Sequence, residues 1–257
     1  MAINPNIQFN FAQSTDVGCV RDLNEDSVYS ESGLWLLADG MGGHACGEVA
    51  SALSIQEIRS SMSEGLSLDS SIQTSHQKII DAGNSDSARA GMGTTIVALA
   101  SDEKNYQLAW VGDSRAYLWD ITQGKLTQIS EDHSLMVRLI NAGLISEQDA
   151  LTHPQRHMIT QCLGSVEIDQ VRVDQLNNKW EYQQQILLCS DGLTDEITER
   201  KIAEIMATEI NINDKCLKLI ESAKKNGGRD NISVIIIDSP IKNSPNFLSK
   251  IRKLIGF

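Results

Sequence analysis

The sequence predicts an α+β layered domain rather than a doubly wound parallel sheet. Short β-branched runs joined by short turns, such as 94–100 and 106–111, are typical of antiparallel hairpins. Helical periodicity is grouped between these runs and after them, chiefly in 47–62 and 198–226. Because neighbouring parallel strands need long crossovers, this grouping favours antiparallel sheets covered by helices.

The amino-terminal part predicts strands separated by a polar loop. Residues 7–20 are expected to form a strand with a polar end, and 27–29 begin a second run. The stretch 21–26 between them is almost entirely polar, which alone is typical of a solvated loop. The apolar run 34–38 is too short for a helix and predicts a buried strand ending at Asp39.

Two helices and a sheet follow. Apolar residues spaced by threes and fours predict helices over 47–62 and 70–82. Three consecutive strands are then predicted at 94–100, 106–119 and 126–129, the second interrupted at Gly112–Arg115. Their short links predict one antiparallel sheet.

The segment 131–164 differs from its surroundings. Leu135 and Leu139 lie at helical spacing up to Gly143, and Ser146 is expected to cap a short second helix. The pattern leaves open whether this segment is a mobile flap or a plain helical connection. The remaining expectations are strands at 171–173, 185–189 and 232–237, and helices within 198–226.

Composition excludes several classes of protein. The chain has 257 residues, 41% of them hydrophobic, so it can bury a core, and its net charge of -12 argues against nucleic acid as the main partner. The five cysteines are scattered without a Cys-x-x-Cys pair, which predicts reduced thiols. No signal peptide or spanning run is found, and we expect a cytoplasmic protein.

The carboxyl end, 241–257, is basic and amphipathic, with no acid after Asp238. It could contact an anionic membrane surface, although a frayed terminus or packing on the acidic domain is the favoured interpretation.

Acidic residues recur beside glycine at strand ends and tight turns. Two apolar runs end in Asp-Gly, at Asp39-Gly40 and Asp191-Gly192, which suggests that two carboxylates converge on one cation. The further members of this set are Asp113 and Asp230, with Glu25 and Asp26 after the polar loop. Oxygen ligands suit Mg²⁺ or Mn²⁺, whereas zinc ligand spacing is absent. Paired divalent ions indicate phosphoryl chemistry, in which Arg21 would bind a phosphate.

The order of these motifs resembles that of the metal-dependent Ser/Thr protein phosphatases of type 2C. The motifs are Arg21 with Asn24-Glu25-Asp26, Asp39-Gly40-Met41-Gly42-Gly43-His44, Gly93-Thr94-Thr95, Gly112-Asp113-Ser114-Arg115, Ser190-Asp191-Gly192 and Asp230-Asn231. The resemblance extends from about Thr15 to Asp238. The Gly-Met-Gly-Gly-His form and Gly143–Ser146 resemble the bacterial members.

The resemblance implies a four-layer α-β-β-α sandwich with two central antiparallel sheets and a single catalytic domain over 1–240, with a flap at about 131–164. It implies that Asp39 bridges two Mg²⁺ or Mn²⁺ ions and that the Gly40 carbonyl binds one of them. Asp191 and Asp230 would hold the first ion, Glu25 would support the second, and Asp113 with Asp191 would hold a third, weaker ion. Arg21 would bind the substrate phosphate.

The sequence departs from the animal members of that family directly after Asp39-Gly40. Those members carry a histidine there, proposed as general acid, whereas this chain has Met41. His44 is a candidate for the catalytic role, although a cap of the following helix is the favoured interpretation. A smaller departure is His157, where bacterial relatives often have asparagine.

The resemblance implies hydrolysis of phosphoserine and phosphothreonine by in-line attack of a metal-bridging hydroxide, opposing a bacterial Ser/Thr kinase. Its expected partners are phosphorylated proteins and that kinase. One alternative is a catalytically weak or dead relative that acts as a regulatory binding module. Another is a metal-dependent hydrolase of small phosphorylated metabolites.

Overall fold

The structure, a computed structural model, describes residues 8–42 and 46–242. The strands are β1 (Phe11–Asp16), β2 (Asp26–Glu31), β3 (Leu34–Met41), β4 (Gly93–Thr94), β5 (Ile96–Ser101), β6 (Asn105–Val111), β7 (Arg115–Asp120), β8 (Lys125–Gln128), β9 (Asp174–Lys179), β10 (Gln184–Cys189) and β11 (Ile232–Asp238). The helices are α1 (Gly47–Ser63), α2 (Leu68–Ser85), α3 (Leu135–Asn141), α4 (Glu147–Ala150), α5 (Asp191–Thr194), α6 (Glu199–Met206) and α7 (Ile212–Lys225).

The strands form two antiparallel sheets. Sheet I has the order β2-β3-β5-β6-β9, with β4 paired to β3, and sheet II has the order β1-β11-β10-β7-β8. Side chains alternate between the two faces of each strand, as the period of two requires. In β3, Trp35 and Leu37 belong to the core cluster between the sheets, whereas Leu34 and Leu36 belong to the cluster that includes α1 and α2.

Sheet II is built in the same way. Ile186 and Leu188 of β10 pack between the sheets, and Leu187 packs on the other side with residues of α6 and α7 such as Ile202 and Leu219. The layers therefore run α1/α2, sheet I, sheet II, α6/α7. The α+β four-layer sandwich implied by the resemblance is confirmed.

The prediction of one antiparallel sheet across 94–129 is wrong. β6 pairs with β5 in sheet I, whereas β7 pairs with β10 in sheet II. The chain passes from one sheet to the other at 112–114, where Gly112 has a φ of 109° that favours glycine. Its Cβ would lie 2.6 Å from the Cβ of Thr95. The crossing places Asp113 between the end of β6 in sheet I and the start of β7 in sheet II.

Three element boundaries differ from expectation. The first strand begins at Phe11, and Ile7 lies outside the described residues. β3 continues through Met41, because Gly40 and Met41 pair with β4, so Asp39 lies inside the strand. The strand predicted at 171–173 is wrong: the ladder with β6 starts at Asp174 and runs to Lys179.

Residues 131–164 form an insertion between β8 and β9 that contains α3 and α4. The expected cap of the second helix is confirmed, since the Ser146 side chain accepts the Asp149 N–H and the Asp149 carboxylate accepts the Ser146 N–H. All five cysteines are free thiols. Among the described residues, no helix is both long and apolar enough to cross a bilayer. Of the basic tail, residues 243–257 lie outside the described part of the chain, so its role stays a prediction.

Candidate metal centre and active site

Hydrogen bonds with Thr94 and Thr95, at and directly after β4, hold the Asp39 backbone in place on sheet I. Its carbonyl accepts the Thr94 hydroxyl and the Thr95 N–H, both at 2.8 Å. Its own N–H donates to the Thr95 hydroxyl at 3.2 Å. Asp26 of β2 lies directly opposite Asp39 in the strand register. Two carboxyl groups are therefore held side by side at one end of the sheet.

Sheet II brings two further acids to the same end. Asp191 is the first residue of α5, directly after β10, and Asp230 lies two residues before β11. A Cβ on Gly192 would lie 2.0 Å from the Asn231 carbonyl oxygen. Only glycine allows α5 to lie so close to the start of β11, and this approach brings the Asp191 and Asp230 carboxylates together.

Gly40 makes the closest backbone approach on the sheet I side. A Cβ at this position would lie 2.2 Å from the Gly47 carbonyl oxygen and 2.5 Å from that of Glu25. The Gly40 N–H donates to the Glu25 carbonyl at 3.2 Å. The loop that carries Glu25 is therefore packed directly against Asp39-Gly40.

Arg21 reaches into the cluster from the same loop. Its Nη2 lies 2.7 Å from Oδ2 of Asp230, and its Nη1 lies 3.7 Å from Oε2 of Glu25. Asn231 holds the loop in place: its Oδ1 accepts the Glu25 N–H at 2.7 Å, and its Nδ2 donates to the Val17 and Leu23 carbonyls. The polar stretch 21–26 is therefore an ordered part of the site.

Asp26 is a buried carboxyl with incomplete hydrogen bonding. Its Oδ2 accepts the Ser190 hydroxyl at 2.9 Å, whereas its Oδ1 has no partner. Burial raises the pKa of Asp26 to about 7, although hydrogen bonds from Ser233 and Ser190 oppose the rise. This Oδ1 atom is buried and unpaired among the described residues, so it is available as a ligand atom.

The pKa values of the neighbouring acids Asp39 and Asp191 are raised as well. Burial, and then the charges of Asp26 and Asp191, raise the pKa of Asp39 well above its ordinary value. Burial, and then the charges of Asp195 and Asp230, raise the pKa of Asp191 to about 6. Burial is the larger cause of both shifts and repulsion between the carboxylates adds to it; a bound cation would relieve that repulsion.

Asp113 extends the cluster toward the insertion. Burial and the charge of Asp191 raise its pKa well above the ordinary value. The adjacent Arg115 is held in a forked ion pair with Asp132, whose Oδ2 lies 2.7 Å from Nη2 and 3.0 Å from Nε. The charge of Arg115 opposes the rise in the pKa of Asp113, but burial and the charges of Asp191 and Asp132 outweigh it.

A cavity of about 340 Å³ opens over the carboxylates of sheet II. It is lined by Arg21, Arg156, His157, Asp191, Gly192, Asp195, Glu196, Arg229 and Asp230. A neighbouring cavity of about 380 Å³ lies beside Asp113 and is walled partly by apolar side chains of α3 and α4, including Met136 and Val137. The two cavities share Arg156, His157, Asp191 and Asp195, so the 131–164 insertion borders the acidic cluster.

The possible ligand atoms in this region are of the chemical type that a hard divalent cation prefers. They are carboxylate oxygens in mutual repulsion, with one buried oxygen on Asp26 that lacks a hydrogen-bond partner. No three His, Cys, Asp or Glu side chains within 8–42 and 46–242 are arranged as a ready-made ligand group. Asp230 is instead paired with Arg21, and the Asp39 and Asp191 carboxyls interact closely enough to shift each other's pKa.

The structure brings together most of the residues expected at the site. These are Arg21, Glu25, Asp39, Gly40, Asp113, Asp191 and Asp230. His44 lies outside the described residues, so its catalytic role stays a prediction. Sequence reasoning placed Asp26 in the acidic set and Asn231 beside Asp230 in a motif, but it assigned neither residue a role at the site. Their roles come from the structure, because Asp26 lies opposite Asp39 in the strand register and the Asn231 side chain accepts the Glu25 N–H.

The chain matches the family model Protein phosphatase 2C over residues 6–136. It is 34% identical over 239 residues to the serine/threonine phosphatase Stp of Listeria monocytogenes, covering 87% of this chain and 93% of Stp. It is 35% identical over 237 residues to the serine/threonine protein phosphatase PstP of Mycobacterium tuberculosis, covering 89% of this chain and 44% of PstP.

Solved structures show the same relationship. The crystal structure of the Mycobacterium tuberculosis phosphatase PstP/Ppp matches with a TM-score of 0.83 and 34% identity, covering 91% of this chain and 99% of that one. The catalytic domain of PstP in complex with two manganese ions matches with a TM-score of 0.79 and 33% identity, covering 90% and 97%.

Proposed function

Since the chain belongs to the protein phosphatase 2C family, we propose that it hydrolyses phosphoserine and phosphothreonine in proteins with two Mg²⁺ or Mn²⁺ ions. The observation that carries the proposal is the convergence of Asp39, Asp191 and Asp230 below a cavity that also contains Arg21. The relative with two manganese ions supports the choice of cation. The catalytic domain is proposed to span 1–240.

The proposed ligands follow from the positions of the acids. Asp39 would join the two ions, Asp191 and Asp230 would hold one, and Glu25 with the Gly40 carbonyl would serve the other. Asp113 and Asp191 would hold a third, weaker ion. When bound, such ions activate the attacking water and neutralise the phosphoryl oxygens.

The residues of the chain supply orientation and charge. Arg21 offers a planar guanidinium that can bind two phosphate oxygens, and it stands at the cavity mouth beside Asp230. Exchange of Arg21 from Asp230 to the substrate phosphate would leave the Asp230 carboxylate for a cation. The 131–164 insertion is proposed to act as a flap beside the site, since Arg156 and His157 line the cavity.

The partner chemistry follows from the substrate. Phosphoserine and phosphothreonine are made by phosphoryl transfer from a nucleotide to a hydroxyl, so a Ser/Thr kinase must supply the substrate. A regulatory binding module without catalysis remains the alternative function, and it predicts no turnover although the acids are present.

Metal-dependent turnover tests the proposal. Purified protein should hydrolyse p-nitrophenyl phosphate and a phosphothreonine peptide with Mn²⁺ and lose this activity in EDTA. Asp39→Asn should lower kcat by at least about 10²-fold, because metal and electrostatic stabilisation supplies most of the rate enhancement. Asp102→Asn is the matched control, since Asp102 lies in the β5–β6 turn and accepts hydrogen bonds that asparagine can also accept.

Three outcomes separate the candidate functions. No Mn²⁺-dependent rate in the wild type would contradict catalysis and favour the binding module, whereas full activity in Asp39→Asn would contradict catalysis at this site. Higher kcat/KM for sugar phosphates than for the phosphopeptide would indicate a hydrolase of small metabolites.

A further inference from the structure

Hydrolysis of a serine or threonine phosphate, the proposed function on which this inference rests, releases a poor leaving group. When the P–O bond breaks, its electron pair stays on the side-chain oxygen as an alkoxide. A positioned acid that protonates this oxygen contributes about 10²–10⁴-fold to the rate. The cavity of about 340 Å³ at Arg21, Asp191 and Asp230, where the substrate phosphate is proposed to bind, should therefore contain a side chain that can give up a proton.

Most groups along this cavity are poor donors. Arginine does not lose its proton in proteins, which excludes Arg21, Arg156 and Arg229. Asp191 and Asp230 are the proposed cation ligands. Glu196 accepts hydrogen bonds from Arg229, and these lower its pKa, so it is ionised at neutral pH.

His157 is the described histidine that lines the cavity. It comes from the 131–164 insertion, and its side chain is 50% exposed, so a ligand in the cavity can reach it. Its Nδ1 lies 3.0 Å from Oδ2 of Asp195. Within the described residues no hydrogen bond engages its Nε2, which leaves that nitrogen for a substrate.

Asp195 connects His157 to the metal site through α5. The Asp195 N–H donates to the Asp191 carbonyl at 2.8 Å, so the two residues are one helical turn apart and on the same face. The contact with Asp195 therefore places His157 beside α5, the helix that begins with Asp191.

We propose that His157 is the general acid of the reaction and that Asp195 positions it. Water forms the new P–O bond and loses a proton to solvent, while the bond from phosphorus to the side-chain oxygen breaks. The electron pair of that bond takes a proton from the His157 imidazolium, which yields the neutral serine or threonine hydroxyl. His157 then recovers a proton from solvent, so the net reaction consumes one water.

The test varies the leaving group while the rest of the substrate stays the same. p-Nitrophenyl phosphate releases a stable anion and needs little protonation, whereas phenyl phosphate releases a more basic one. His157→Ala should lower kcat/KM by about 10²-fold for phenyl phosphate and for a phosphoserine peptide. It should change p-nitrophenyl phosphate turnover by less than about 5-fold, since this anion leaves with little help from an acid. Asp195→Asn should give a smaller loss with the same dependence on leaving group.

Controls separate a catalytic from a structural role. His153→Ala changes a partly buried histidine of the same insertion that does not line the cavity, and it should keep both activities. Mn²⁺ affinity from isothermal titration calorimetry should be unchanged in His157→Ala.

Equal losses on p-nitrophenyl and phenyl phosphate, or no loss on either, would overturn the inference. A leaving-group-dependent loss in His44→Ala but not in His157→Ala would assign the proton to His44 instead. Absence of Mn²⁺-dependent turnover in the wild type would contradict the proposed function itself, so the two failures are distinguishable.

Discussion

Single atoms decide the geometry around Asp39. The space beside the Gly40 Cα is filled by two carbonyl oxygens, those of Gly47 and Glu25, at distances that no real Cβ shows. For Gly42, two residues further on, the atom nearest to an added Cβ is the Met92 Cα at 3.6 Å, which is ordinary van der Waals contact. The two glycines of one short stretch therefore differ sharply in what they tolerate.

Gly40→Ala should displace the Glu25 loop, because neither carbonyl belongs to a flexible side chain. We expect a loss of about 1–3 kcal/mol in stability from overpacking. We also expect a fall of about 10²-fold in Mn²⁺-dependent kcat, since displacement by ~1 Å can cost that much. Urea unfolding and phosphatase assays measure the two effects.

Gly42→Ala is the matched control and should leave both quantities near the wild-type values. Similar losses in the two alanine variants would show that the stretch is sensitive to any added methyl group, and not to the approach at Gly40.

At the scale of elements, α5 and the turn before β11 are held together by one carboxylate. The buried Glu196 side chain accepts hydrogen bonds from the Arg229 N–H at 2.9 Å and from its Nε at 2.8 Å. The Glu196 carbonyl also accepts the Asn226 side chain at 2.8 Å. Because Asp191 begins α5 and Asp230 follows Arg229, this connection fixes the distance between two proposed ligands.

Glu196→Gln should destabilise the protein by about 1–2 kcal/mol at pH 7, because a charge-assisted hydrogen bond becomes neutral. Hydrogen bonds from Arg229 lower the pKa of Glu196 below 4.5, so its ionised form stabilises the fold above that pH. This contribution is lost as the pH falls through the lowered pKa. The difference from wild type should therefore begin to narrow below about pH 4.5 and then close.

Urea unfolding at a series of pH values measures this difference. Glu221→Gln is the control, because its pair with Lys225 is exposed and 3.9 Å long, and it should cost little at any pH. A constant difference between Glu196→Gln and wild type across the series would contradict a charge-based role.

Much of the fold could be predicted from local patterns, and the failures share one cause. Hairpins and amphipathic helices follow from neighbouring residues, which is why α1, α7, β5 and β10 were predicted within a few residues. Sheet membership depends on distant packing. The passage from sheet I to sheet II at 112–114 therefore looked like an interruption of one strand, since local sequence does not encode which sheet follows.

Strand β9 is a second case in which local sequence does not determine strand pairing. Its residues, Asp174 to Lys179, are mostly polar and have low β-propensity, whereas the β-branched Val171 and Val173 lie just outside the ladder. Pairing with the edge of β6 overrides the local preference. At the site, the six acids and Arg21 could be found from motifs, but the orphaned oxygen of Asp26 required the strand register.

At the scale of the whole molecule, repulsion among the acids of the site opposes the packing of the two sheets. Sheet I contributes Asp26 and Asp39, and residues at the ends of sheet II strands contribute Asp191 and Asp230. The raised pKa values of Asp26, Asp39 and Asp191 show that bringing these acids together costs folding free energy at neutral pH.

Mn²⁺ should therefore stabilise the entire fold. At a free concentration of about 100 times Kd, binding to the native state adds about 2.7 kcal/mol. Asp39→Asn should unfold at a higher temperature than wild type in EDTA, because one repelling charge is removed, and should show a smaller rise in Tm with Mn²⁺. Differential scanning calorimetry with and without Mn²⁺ measures both shifts. A lower Tm for Asp39→Asn in EDTA would contradict the repulsion argument.

The pairing of β1 with β11 joins the beginning and the end of the described chain, since Phe11 lies opposite Ile237. During synthesis on the ribosome, β1 emerges early and stays unpaired until β11, which is translated more than two hundred residues later, becomes available. Asp230 precedes that last strand, so the metal site is completed at the same late moment. Nascent chains should therefore be inactive until β11 has left the exit tunnel, which confines the phosphatase activity to finished molecules.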